Sequence, residues 1–151
     1  MIVSLVPTEM LPKVWAQVAP LIGKSVDGPA AFRTTILDIY DWCLKGKYSL
    51  WIVADQETKK ISAAWVTTVV THPAYKALSI QYVGGDALET WIKEAMTILK
   101  RFAVDCGCSA IEACAREGWV RKLKKETDDE WQRVSILIRL ELDEAVSIAA
   151  E

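Results

Sequence analysis

The stretch Ile80-Gln81-Tyr82-Val83-Gly84-Gly85-Asp86-Ala87-Leu88-Glu89-Thr90-Trp91-Ile92 changes its hydrophobic period within a few residues. Residues 77–83 are apolar and rich in strand formers, which predicts an extended segment. From residue 87 to 105 the spacing becomes helical, with Leu88, Trp91, Ile92, Ala95, Leu99, Phe102 and Ala103 forming one apolar stripe. Asp86 followed by Glu89 has the spacing of a capping box, and Gly107 supplies a stop. Gly84-Gly85 then reads as the tight turn between strand and helix.

Working outward, residues 48–55 and 61–71 are two more extended segments, separated by the polar turn Gln56-Glu57-Thr58-Lys59-Lys60. His72-Pro73 divides the second from 77–83, so the three strands form a meander. Before them, residues 11–22 carry a helical pattern that Pro12 and Pro20 are expected to limit. Residues 1–10 are taken as an N-terminal segment and 23–29 as a loop. Residues 30–44 form a second helix, which Gly46 stops. Downstream, 109–115 reads as a strand and 117–125 as a short basic helix. Residues 131–142 read as a long strand, because Val134, Ile136, Ile138, Leu140 and Leu142 alternate with Arg133, Ser135, Leu137, Arg139 and Glu141. The tail 143–151 is expected to be a frayed helix.

A chain of 151 residues suits a single domain, and 52% hydrophobic with 25% charged residues excludes a disordered tail. Eighteen basic against twenty acidic side chains leave a net charge of -2, too small a field to draw the protein to nucleic acid. The basic cluster Arg116, Arg121, Lys122, Lys124 and Lys125 is followed at once by Glu126, Asp128, Asp129 and Glu130, so it reads as a solvated, self-screened run. No apolar stretch approaches the roughly 20 residues of a membrane span, and the N-terminus lacks a secretory pattern, so a cytoplasmic location is expected. Cys43, Cys106, Cys108 and Cys114 read as free thiols, and their spacing fits no zinc site. Seven tryptophans exceed what one small core readily hides. Trp119 or Trp131 is therefore a candidate for a contact with a protein partner or a second copy.

Two helices, a three-strand meander, a long amphipathic helix, a strand, a short helix and a final strand, in that order, resemble the GNAT superfamily of N-acetyltransferases. The resemblance covers residues 11–142. It implies an α/β (α+β) fold with a mixed, mostly antiparallel central sheet and helices on both faces. It also implies that strands 77–83 and 109–115 are parallel neighbours joined by the helix 87–105, paired at one end and parted at the other. In that family acetyl-CoA lies in the opening. Its pantetheine arm pairs with the first of these strands, here Ile80, Gln81, Tyr82 and Val83, and its pyrophosphate sits on amides at the helix start, here Gly84, Gly85, Asp86 and Ala87. The acceptor would be an amine.

The chain departs from the family at two places. The usual loop [QR]-x-x-G-x-[GA] is shortened, since Val83 runs through Gly84-Gly85 straight into the helix. The tyrosine that often protonates the departing thiolate is missing from 117–125. Tyr82 is a substitute acid if it faces the cleft, and His72 and Glu112 are candidate bases. A carboxylate within the apolar strand 110–115 needs either a wet cleft or a partner such as Arg116. The order Ser109-Ala110-Ile111-Glu112, Arg116-Glu117-Gly118-Trp119, charged helix and final strand also resembles small GNAT-like proteins of tailed bacteriophages. That likeness implies a non-catalytic interaction module, associated with virion morphogenesis, as the alternative to an enzyme.

Overall fold

The computed structural model describes residues 1–26, 34–115 and 118–142. Five strands build one sheet in the order of the chain: β1 (Ile2–Leu5), β2 (Ser49–Ala54), β3 (Ile61–Thr71), β4 (Lys76–Gly85) and β5 (Ala110–Ala113). The first four pair antiparallel, and β5 joins β4 parallel. Among the described residues four α-helices cover the sheet: α1 (Leu11–Val26), α2 (Ile36–Leu44), α3 (Leu88–Asp105) and α4 (Trp119–Thr127).

Strand alternation divides the apolar side chains between two cores. Trp51, Trp65 and Leu78 point to the face covered by α3 and α4, where they meet Trp91, Ile92, Leu99 and Leu123. Leu50, Val66 and Tyr82 point to the other face, against Val18 and Ile22 of α1 and Ile39 of α2. The α3 face holds a stack of three indoles. Trp65 lies between Trp51 and Trp91 at 6.4 and 5.1 Å, with interplanar angles of 4° and 5°. Two of the three indole N–H groups have partners, Trp51 donating to Thr67 Oγ1 and Trp91 to the Asp86 carbonyl, each at 3.0 Å.

Several expected boundaries move. The strand β1 lies within residues 1–10; four residues carry too little periodicity to be recognised alone, and pairing with β2 is what orders them. Pro20 sits inside α1 instead of ending it. Its ring is on the exposed side, and burial of Val18, Ile22 and Val26 outweighs the one lost helical hydrogen bond. The second helix begins at Ile36, where Thr35 and Asp38 form a capping box; residues 27–33 lie outside the described residues.

Two corrections bear on the site. Gly84 and Gly85 are not a turn: they end β4, paired with Ala64 and Ala63 of β3. A Cβ on Gly84 would meet the Leu21 carbonyl oxygen at 1.8 Å, so this glycine is where α1 rests on the sheet. Residues 131–142 form no strand. Alternation records only the capacity to pair, and among the described residues no strand pairs with this segment; 132–142 are exposed throughout. The expected helical tail 143–151 lies outside the described residues.

Candidate functional site

The sheet opens between its two parallel strands. β4 and β5 pair from Ala77↔Ala110 to Ile80↔Ala113 and no further, while β4 continues to Gly85. A bulge lies at the same level. Val66 pairs with Tyr82 and Thr67 with Ile80, which leaves Gln81 as the extra residue in β4. Such an insertion bends its strand and increases local twist, and here it turns β4 away from β5. The outer backbone edge of Gln81 to Gly85 therefore has no strand partner among the described residues and needs another source of hydrogen bonds.

The start of α3 lies at the end of that edge. Asp86 does not cap the helix as the spacing predicts. Ala87 occupies the cap in a left-handed conformation (φ 53°), and no side chain closes the first turn. The Asp86 N–H donates instead to the Ser62 carbonyl at 3.3 Å, and its carbonyl accepts from the Trp91 indole. The Thr90 N–H donates to the Ala87 carbonyl at 2.9 Å, so the Leu88 and Glu89 N–H groups are the ones that suit an anion at the positive end of the helix dipole. The Asp86 and Glu89 carboxylates stand at the same end and oppose one.

Beyond the cover of α1, the opposite face of the sheet carries polar groups. Ser79 is in register with Glu112, and Gln81 donates to Ser79 Oγ at 2.7 Å. Tyr75 donates its hydroxyl to Glu112 Oε2 at 2.7 Å, and this hydrogen bond raises the Tyr75 phenol above its ordinary pKa. The ring of His72 stacks on Tyr75 at 4.8 Å. Two of the three residues singled out as catalytic candidates, His72 and Glu112, are thus brought together, through a tyrosine that the sequence reading missed. Tyr75 stands 37 residues before Glu112 in the chain, and only the parallel register makes them neighbours. Arg116, the other expected partner of Glu112, lies outside the described residues. Tyr82 is 5% exposed in the α1–α2 core, away from this cluster.

Trp119 and Trp131 are half-buried against the α3 core rather than displayed; the indole left 42% exposed is Trp42, under Lys47 Nζ at 4.8 Å. Arg121, Lys122, Lys124 and Lys125 line the exposed side of α4. A cavity of about 290 Å³ lies between α3 and the end of α4, lined by Lys93, Lys100, Thr127 and Asp129. Among the described residues no helix is long and apolar enough to cross a membrane.

No family model matches the sequence, and no curated protein matches it. Solved structures do match in fold. An aminoglycoside acetyltransferase from an uncultured soil metagenomic sample superimposes with a TM-score of 0.69 at 12% identity, over 94% of this chain and 96% of that one. Glucosamine-6-phosphate N-acetyltransferase from Arabidopsis thaliana gives 0.64 at 13% identity, over 94% and 98%. A GNAT family acetyltransferase of Staphylococcus aureus gives 0.63 at 13%, over 93% and 98%. The chain has the GNAT fold: a mixed, mostly antiparallel sheet with helices on both faces.

Proposed function

We propose that this single-domain chain is an acyl-CoA-dependent N-acetyltransferase acting on an amine-bearing acceptor. The observation that carries the reading is the end of β4–β5 pairing at Ile80↔Ala113, which leaves a strand edge leading to an uncapped helix end. Along that edge the fit to acetyl-CoA is good, because the backbone of Gln81, Tyr82 and Val83 can pair with the amides of a pantetheine arm. At the helix end Gly85, Asp86 and Ala87 are exposed, and the first-turn amides suit a pyrophosphate. Gly84 serves mainly to seat α1.

Acetyl-CoA supplies the activated acyl group. The chain's own residues hold the thioester in the opening and present the acceptor from the Glu112 side of the sheet. Direct attack forms the C–N bond and breaks the C–S bond, so positioning contributes much of the acceleration. Glu112 receives the proton lost by the amine, and the Tyr75 hydroxyl, already bonded to Glu112, orients it. His72 supports Tyr75 by stacking, and Tyr82 is a packing residue.

Calorimetry and thermal shift with acetyl-CoA test the reading, followed by acetyl transfer to aminoglycosides and amino sugars, the acceptor classes named for two of the fold neighbours. Absence of both heat and stabilisation at millimolar acetyl-CoA ends the enzyme reading, since a ligand that binds only the folded state must stabilise it. Asp86 and Glu89 favour one alternative, a phage-type interaction or virion morphogenesis module that has lost its cofactor. That module would bind no CoA with either carboxylate in place or removed.

A further inference from the structure

Two charges of opposite sign stand at the ends of one row of polar groups on the Glu112 face of the sheet. Glu112 accepts from the Tyr75 hydroxyl, and among the described residues no cation pairs with it. Lys47 is exposed with its Nζ over the Trp42 ring, and among the described residues no carboxylate pairs with it. The row between them crosses the strands. Glu112 on β5 is in register with Ser79 on β4, Ser79 is in register with Thr68 on β3, and Thr68 donates to the Lys47 carbonyl at 2.9 Å, just before β2 begins. Thr68 lies two residues from Val66, which faces the α1–α2 core, so strand alternation puts its side chain on the same face as Ser79 and Glu112. Neighbouring strands lie about 4.8 Å apart, which separates Glu112 from Thr68 by about 10 Å.

The two hydroxyls of the row are polarised in opposite senses. Ser79 Oγ accepts from Gln81, which leaves its hydrogen to donate; Thr68 Oγ1 donates to the Lys47 carbonyl, which leaves its lone pairs to accept. A ligand lying across the strands therefore needs an acceptor over Ser79 and a donor over Thr68, the two groups that an amide carries. We propose that this row is the acceptor subsite and selects an elongated bipolar amine, with the amine at Glu112, amide-like groups over Ser79 and Thr68, and a carboxylate at Lys47. The assignment of the reacting end rests on the acetyltransferase reading, because Glu112 immediately precedes Ala113, the last residue of β5 to pair before the opening.

Charge complementarity separates this class from other amines. A polyamine would bring a second cation to Lys47, and an amine with a neutral tail would leave Lys47 without a counter-ion. Length is the second criterion. An extended chain advances about 3.5 Å per residue, so three residues with a free amine and a free carboxylate span about 10 Å, the separation of Glu112 and Thr68. Triglycine is thus the simplest probe with both charges, both amide groups and the length of the row.

Titration of the full chain with triglycine, triglycinamide and N-acetyltriglycine, followed by backbone amide shifts in NMR, gives the affinities without turnover. Triglycine should shift Thr68, Ser79 and Glu112. It should bind about fivefold more tightly than triglycinamide, which lacks the carboxylate, and than N-acetyltriglycine, which lacks the cation; this is the upper end for an exposed ion pair. Lys47→Met should remove the preference over triglycinamide and Lys47→Arg should keep it, while Glu112→Gln should remove the preference over N-acetyltriglycine. Equal affinities for the three probes, shifts confined to other parts of the molecule, or a carboxylate preference that survives Lys47→Met overturns the proposal. The preferences without any binding of acetyl-CoA would retain the bipolar site and end the transferase reading, so the two failures are distinguishable.

Discussion

Replacing Gly84 by Ala tests how α1 is held on the sheet. The added Cβ would lie 1.8 Å from the Leu21 carbonyl oxygen and 2.4 Å from its carbon, both backbone atoms. Ordinary contact begins at 3.4 Å, so helix and strand must separate by about 1.6 Å. The helix cannot recede freely, because Val18 and Ile22 are wholly buried beneath it. Overpacked cores lose about 1–3 kcal/mol, and with helix backbone as the obstacle the upper end, about 3 kcal/mol, is expected. At roughly 2–4 °C per kcal/mol the melting temperature falls by about 6–12 °C. Urea unfolding followed by tryptophan fluorescence, with thermal melts by circular dichroism, measures both. Gly46→Ala is the comparison: its φ is 76° and nothing lies within 4 Å, so only left-handed strain of about 1–2 kcal/mol applies. A Gly84→Ala protein that melts with the wild type would refute this packing account. If it also lost acetyl-CoA binding, Gly84 would serve the ligand instead.

Asp86→Ala should leave stability within about 0.5 kcal/mol, because Asp86 caps nothing, and should tighten acetyl-CoA binding in calorimetry. A loss near 1 kcal/mol would instead restore it as a helix cap. Burial pushes the Cys43 thiol up to about 11. The stability this contributes is present at neutral pH and drains away as pH rises from the ordinary thiol range toward 11, and thiol labelling at pH 8 should modify Cys114 while sparing Cys43 until the chain unfolds. The Tyr75 phenol is likewise raised, so its contribution holds below the ordinary phenol range and is lost above it; Glu112→Gln should move its UV-monitored titration down.

The meander was legible because Ile61 to Thr71 and its neighbours combine strand formers with turn residues, and α3 because its stripe runs for five turns. What stayed hidden depends on partners distant in the chain. Nothing local to Gly84 shows that α1 crosses it, and nothing near Glu112 points to Tyr75. The reverse error has the same origin: 131–142 has the pattern of a strand, but no strand among the described residues pairs with it. Asp86 and Glu89 have capping spacing, but the bond from the Asp86 N–H to Ser62 extends β4 pairing by one residue and moves the cap to Ala87.

Backbone amide shifts recorded by NMR during an acetyl-CoA titration test the central claim most directly, because they report where the ligand sits as well as whether it binds. Binding in the opening predicts shifts at Gln81 to Gly85 on β4 and at Leu88 to Thr90 on the first turn of α3, with smaller ones at Ala113 and Cys114 across the gap. An unperturbed spectrum at millimolar acetyl-CoA, or shifts confined to the cavity beside Lys93, Lys100 and Thr127, would contradict it.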